Sequence, residues 1–276
     1  MNKILRKQQI CENVFKFRVY APLIAEARKP GQFIVLQLHE FGERIPLTIA
    51  DADIEEGSIT IIFQVVGKTT YLLSMLNEGD VIAHIAGPLG RPTYIDNFGT
   101  VVCVAGGIGA AVMYPIATAM KEKGNEVIVI MGARSKQMLV LIDEIRSIVD
   151  RLVICTDDGS EGIKGIVTSP LEEFCRNKKK PNLVVAVGPA VMMKACCEVT
   201  RVFGIKTIVS LNTIMVDATG MCGSCRVSVG GQTKFVCVDG PEFDGHLVDF
   251  DNMIARQNSY KEQEQEAYRK CRLNLK

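Results

Sequence analysis

A chain of 276 residues, 47% hydrophobic and 23% charged, is long enough for two packed domains and has the composition of an ordinary globular protein. Its net charge of +1 supplies no basic field, which excludes nucleic acid as the main partner. The opening "MNKILRKQQICENVFKF" has charge but no apolar run behind it, so it does not read as a secretory signal, and a cytoplasmic location is expected. Ten cysteines in such a chain point to metal or redox use rather than to a disulfide framework.

Residues 1–97 read as an antiparallel β-barrel. "VFKFRVYAP", "GQFIVLQL", "RIPLTIADAD", "SITIIFQVV" and "DVIAHIAGP" are short runs bounded by turn residues. One helix, "TTYLLSMLN" (69–77), opens after Gly67 and Lys68. "GKTT" is half of a Walker sequence, but Ile62 stands where the first glycine belongs, which rules out a nucleotide triphosphatase. An anion site remains, with Gly67 giving close approach and Thr69 capping the helix; a plain Thr-capped helix is the alternative.

From residue 98 the period changes. Strands and helices alternate to residue 210, the pattern of a doubly wound α/β parallel sheet with ligands at the carboxyl ends of its strands. "VVCVAGGIGAAVMYPIATAM" (101–120) has no charge, yet Gly106, Gly107, Gly109 and Pro115 make it a buried strand, a glycine turn and a helix rather than a membrane span. That turn suits a pyrophosphate, although Val112 takes the place of the third fingerprint glycine. Arg134, Asp157 with Asp158, and Gly188 end three further strands on the same rim. Arg134 attracts a 2′-phosphate and the aspartates repel one; NAD is the expected nucleotide.

Residues 211–249 break the rhythm with "VDATGMCGSCRVSVGGQTKFVC" (216–237). The spacing D-x4-C-x2-C-x11-C puts Cys222, Cys225 and Cys237 in the last three places of the plant-type 2Fe–2S pattern, and Asp217 in the first. A zinc site and a Cys222–Cys225 thiol pair are the alternatives. Cys103 and Cys155, inside strands, read as structural. Residues 250–276 read as a polar helical tail that either docks on a partner or lies solvated.

A small barrel, a nucleotide-binding sheet and a 2Fe–2S loop, in that order, resemble the electron-transfer subunits of the ferredoxin–NADP reductase family over nearly the whole chain. The relatives that serve dihydroorotate dehydrogenase hold their cluster with four cysteines. The ferredoxin:NADP+ oxidoreductase branch uses one aspartate and three cysteines, so Asp217 favours that branch. The resemblance implies a β-barrel FAD domain, an α/β nucleotide domain and a small 2Fe–2S module. Arg44, Pro46, Leu47 and Thr48 would line the flavin and its ribityl chain; Gly67, Thr69 and Thr70 would hold the FAD diphosphate, and Gln64, Val65 and Val66 would also bind FAD. Arg44 departs from the family pattern, standing four residues before Thr48 rather than three. Gly106, Gly107, Ile108, Gly109, Arg134, Asp157, Asp158, Gly188, Pro189 and Met192 would hold NAD(H), and Asp217, Cys222, Cys225 and Cys237 the cluster. The implied partner is a larger flavin and 4Fe–4S subunit in a heterodimer, with ferredoxin reached through it. No side chain is expected to be catalytic, because the cofactors carry the chemistry; His84 and His246 read as packed or solvent-facing. Two rivals remain: a dihydroorotate dehydrogenase electron-transfer subunit, and a zinc-stabilised nucleotide-binding module without redox role.

Overall fold

Hydrophobic alternation builds the first half. In the computed structural model, which describes residues 2–274, β1 (Ile4–Cys11), β2 (Val14–Tyr20), β3 (Phe33–Gln37), β4 (Arg44–Asp53), β5 (Ser58–Gln64) and β6 (His84–Leu89) form one antiparallel sheet. Its order is β1-β2-β5-β4-β3-β6. The ends meet: Lys3 bridges Val81, and Ile4 N–H donates to Asp80 O at 2.8 Å just before β6, which closes the barrel. Ile4, Phe17, Ile34, Leu36, Ile61 and Phe63 fill the interior, with Phe17 and Phe63 edge to face at 5.1 Å.

Two helices interrupt this barrel, not the single one expected: α1 (Pro22–Ala27), opened by a proline whose fixed φ suits a first helical turn, and α2 (Lys68–Met75). Strand β1 is not among the strands read from the sequence, which begin at Val14, because it exposes polar side chains on both faces.

The second half follows the expected alternation. Strands β7 (Thr100–Gly106), β8 (Glu126–Ala133), β9 (Arg151–Thr156), β10 (Ile163–Lys164), β11 (Leu183–Val187) and β12 (Thr207–Ser210) pair in parallel in the order β10-β9-β8-β7-β11-β12. Helices α3 (Gly109–Glu122), α4 (Ile142–Ile148), α5 (Thr168–Arg176) and α6 (Ala190–Val202) connect them. The uncharged stretch at 101–120 is thus strand, turn and helix, and no helix among the described residues is long and apolar enough to cross a membrane. Helix α4 starts later than "MLVLIDEIRSIV" suggests. Val140 and Leu141 bury as a turn first, with Leu141 at φ 59°.

The cysteine-rich segment is stitched into this sheet. A hairpin of β13 (Arg226–Val229) and β14 (Gln232–Phe235) leads into α7 (Val236–Asp239) and then β15 (Glu242–Asp244), which pairs antiparallel with β12 at the sheet's edge. Cys225, Val227, Val236 and Cys237 share one core with Val184 and Ala186 of β11. The tail is two helices. α8 (Phe250–Gln257) buries Phe250 and Met253, and α9 (Lys261–Asn274) crosses to the barrel, where Tyr268 meets Tyr71 of α2 edge to face at 5.6 Å. Leu275 and Lys276, assigned to that tail from sequence, lie outside the described residues, as does Met1.

Where β15 meets the barrel, Thr93 Oγ1 donates to Glu242 Oε1 at 2.6 Å. Burial pushes the Glu242 carboxyl up from the usual 4.5 to about 7, against the smaller effect of the Thr93 bond. The folded state then holds a proton that the unfolded chain releases, so stability is full below about 4.5 and falls as pH rises through 7. Glu242→Gln should remove that loss. In urea unfolding, its gain over the parent should be small at low pH and on the order of 1 kcal/mol above neutrality. A parallel pH profile in both proteins would refute the assignment.

Candidate functional site

Period-2 alternation sorts the β4 residues expected to meet a flavin. Ile45, Leu47 and Ile49 point into the barrel core, so Arg44, Pro46, Thr48 and Ala50 share the outer face. The four-residue spacing thus places Arg44 in line with Thr48, while Leu47 offers a ligand only its backbone. Ala50 belongs to the core that contains Ala110, Ala111 and Met113 of α3. The row Arg44–Pro46–Thr48 therefore runs from the nucleotide domain outward along β4, with Thr48 opposite Phe33 in the register.

At the far end of that row, Gln64, Val65 and Val66 link β5 to α2. Val65 N–H donates to Asn13 O at 2.7 Å, and Val66 is 73% exposed. The helix is capped differently from the sequence expectation. Gly67 is the N-cap, and Thr70 Oγ1 accepts from Val66 N–H at 3.0 Å and Gly67 N–H at 3.1 Å. Thr69 does not cap, because its hydroxyl donates to the Glu43 carboxylate. Phe41, Gly42, Glu43, Lys68, Thr69 and Leu72 line a cleft at this helix start. Phe41 and Glu43 were not singled out from sequence; the one available signal was their place in the turn "FGER" just before β4.

The order of the parallel strands reverses between β7 and β11, and there the two glycine turns meet. A Cβ on Gly188 would stand 3.1 Å from Gly106 Cα, and one on Gly106 would stand 2.5 Å from Met192 Sδ and 3.0 Å from Pro189 Cδ. Gly109 presses against the Val187 carbonyl, which leaves no room for any side chain. Gly107, at φ 53°, faces open space beside Ile108, the residue that caps α3. The crevice is thus bare backbone with Met192 across it, as a close-lying pyrophosphate and ring require. On the rim, Asp157 N–H donates to Ala133 O at 3.1 Å and Asp158 N–H to Arg134 O at 3.2 Å, so the arginine and both aspartates are neighbours. Asp158 accepts from Ser160 Oγ at 2.6 Å and Ser160 N–H at 2.9 Å, which hold its carboxyl below the usual range.

The cysteine loop comes as two pairs. Asp217 Oδ1 accepts from Thr219 N–H at 2.9 Å and Oδ2 from Cys222 N–H at 2.7 Å. Cys225 Sγ lies 3.2 Å from Cys237 Sγ. Among the described residues no three His, Cys, Asp or Glu side chains converge as around a single ion. Thr219 N–H lowers the Asp217 carboxyl, and the Ser224 hydroxyl, 3.1 Å from Cys222 Sγ, lowers that thiol. Burial, then Cys225, pushes Cys237 up to about 12, while Gly220 N–H acts against them. The loop turns through left-handed residues at Ala218, Gly220 and Gly223. Three cysteine thiols and one carboxylate in this spacing fit an iron–sulfur cluster. Cys103 and Cys155 are buried in strands as expected, and His246 packs with Nε2 3.0 Å from Thr200 Oγ1.

Known proteins align with all of these parts. Residues 212–249 match the iron–sulfur cluster binding domain of dihydroorotate dehydrogenase B. A dihydroorotate dehydrogenase B (NAD+) electron transfer subunit homolog from Thermotoga maritima is 50% identical over 97% of this chain and 94% of its own. A probable dihydroorotate dehydrogenase B (NAD+) electron transfer subunit from Methanocaldococcus jannaschii is 39% identical over 80% of this chain and 81% of its own. Among solved structures, a chain of the NADH-dependent reduced ferredoxin-NADP oxidoreductase superposes with a TM-score of 0.92 at 49% identity, covering 98% of this chain and 97% of that one. Phthalate dioxygenase reductase shares the fold at 18% identity, with a TM-score of 0.60 over 83% of this chain and 85% of its own. At 50% and 39% identity over 97% and 80% of its length to two such proteins, the chain belongs to the family of dihydroorotate dehydrogenase B electron-transfer subunits and their homologues.

Proposed function

We propose that this chain takes electrons from NADH and delivers them singly to a larger partner subunit, as the NADH-oxidising component of a ferredoxin:NADP+ oxidoreductase. The observation that carries this reading is Asp217 in the first ligand place of a loop otherwise built for a 2Fe–2S cluster, in a chain 49% identical to that oxidoreductase's subunit over almost its full length. When bound, FAD accepts a hydride from NADH and the 2Fe–2S cluster relays its electrons one at a time. The chain's own residues bind and orient. Gly67 and the start of α2 would hold the FAD diphosphate, and Arg44, Pro46 and Thr48, on one face of β4, would hold the flavin end. Gly106, Gly107, Gly188 and Pro189 would admit the nicotinamide nucleotide, with Met192 beside them. Asp217, Cys222, Cys225 and Cys237 would be the ligands of the cluster. The partner in this reading carries a second flavin and 4Fe–4S clusters and passes electrons to or from ferredoxin in the cytoplasm, where ten free cysteines are at home.

The purified chain should be coloured, with flavin and 2Fe–2S absorption, and NADH should bleach the flavin faster than NADPH in stopped flow. Asp157 and Asp158 disfavour a 2′-phosphate on the rim. A colourless, zinc-containing protein would refute the redox reading. A preference for NADPH would show instead that Arg134 faces the ribose.

A further inference from the structure

Between the barrel and the cysteine loop runs a seam of contacts that neither cofactor site uses. On the barrel side it is Gly90 to Thr93, just past β6; on the other it is Val238 to Glu242, just past Cys237. Arg91 makes three of its contacts. Its backbone N–H donates to Gly240 O at 2.6 Å, its Nε–H donates to Val238 O at 3.2 Å, and its Nη2 lies 3.6 Å from Asp239 Oδ1. Asp239 Oδ2 in turn accepts from Phe235 N–H at 2.8 Å, so the guanidinium holds the turn after Cys237 and Asp239 ties that turn to the residue two before Cys237. Gly90, at φ 77°, leaves no space for a side chain. A Cβ there would stand 2.7 Å from the Phe33 ring and 3.0 Å from Pro241 Cδ.

These contacts line up with the outer face of β4. Phe33 pairs with Thr48 in the β3–β4 register and touches the Gly90 position, which abuts Pro241; four residues back along the chain stands Cys237. A continuous packed route thus joins the flavin strand to a cysteine of the loop, and Arg91 bonds its loop end directly. The guanidinium is the component with the least other work. Its side chain is 70% exposed, so no core depends on it.

We propose that Arg91 is a positioning residue that holds the Cys237 side of the cluster loop at a fixed distance from the flavin face of β4, and so sets the rate at which electrons cross between the two centres. This rests on the redox reading above. The step moves one electron from reduced flavin to the oxidised iron pair, with NADH as the reductant, and makes or breaks no bond to Arg91.

The test uses the full chain with its cofactors, as Arg91→Ala and Arg91→Lys. Flavin and iron contents, and the rate of flavin reduction by NADH, should stay within about twofold of the parent in both. The rate of cluster reduction after flavin reduction should fall severalfold in Arg91→Ala, because electron transfer slows steeply as two centres move apart. Amide exchange in Val236–Gly240 should quicken in the same variant. Arg91→Lys keeps the charge near Asp239 but has no Nε–H for Val238, so its rate should lie between the two. Unchanged cluster-reduction rates in Arg91→Ala overturn the proposal, and so does a loss of iron, which would make Arg91 a loading residue. A parent protein without flavin or iron would instead overturn the redox reading on which the proposal stands.

Discussion

Gly67→Glu should strip the flavin from this protein while leaving its iron in place. The substitution is mild for the chain itself: Gly67 is extended, at φ −156° and ψ −175°, and a Cβ there has nothing within 4 Å. The capping bonds from Thr70 use backbone N–H groups that a glutamate still has. What changes is the space in front of the α2 start, where a diphosphate would meet the helix's positive end. A carboxylate there replaces an attraction of up to about 2 kcal/mol with a like-charge repulsion, so flavin affinity should fall by at least about tenfold. The cysteine loop packs against β11 and β15 rather than α2, and its iron content should be unaffected. Flavin release on acid precipitation and an iron assay on the same sample decide it. Full flavin occupancy in the variant would move the diphosphate elsewhere in the barrel.

What the sequence conveys is what repeats locally. β4 is legible from "RIPLTIADAD" because apolar Ile45, Leu47 and Ile49 recur at every second position of the sequence, and they pack together in the barrel. The parallel strands are legible as continuous apolar runs between glycines. β1 is not, because Arg6 and Lys7 put charge on both of its faces. β15 is not either: three residues become a strand only by pairing with β12 some thirty positions earlier in the chain. The same division holds at the candidate site. Glycine turns and cysteine spacings are local chemistry and can be read off directly. The choice between Thr69 and Thr70 as the capping hydroxyl cannot, since it depends on Glu43 arriving from another loop. Arg91 and Val238 lie 147 residues apart and carry no shared pattern; only the packing of barrel against loop brings them together.

Asp217→Ala should make the cluster labile, and Asp217→Cys should keep it with a shifted spectrum and potential. The geometry narrows the candidates for the fourth ligand. Asp217 already accepts from the Cys222 N–H at 2.7 Å, so its carboxylate stands beside Cys222 in the loop that also holds the Cys225–Cys237 pair. Thr219 is too close in the chain to hold that place, and its N–H is spent on Asp217. Asp239 is committed to Phe235 N–H and Arg91. Cys271 lies one helical turn beyond Tyr268 on α9, against α2 of the barrel, whereas the helix that touches the loop is α8, where Arg256 Nη2 donates to Ser224 O at 3.1 Å. A carboxylate is a harder, less electron-donating ligand than a thiolate, so exchanging one for the other changes the metal's electronic environment without removing a ligand. Alanine removes the ligand outright and leaves one iron short of a donor. Cys271→Ser should therefore alter neither content nor spectrum, while Asp217→Ala should lose most of its iron during purification. If Asp217→Ala keeps the parent's spectrum and potential and Cys271→Ser loses its iron, the tail must fold back onto the loop and the fourth ligand is Cys271.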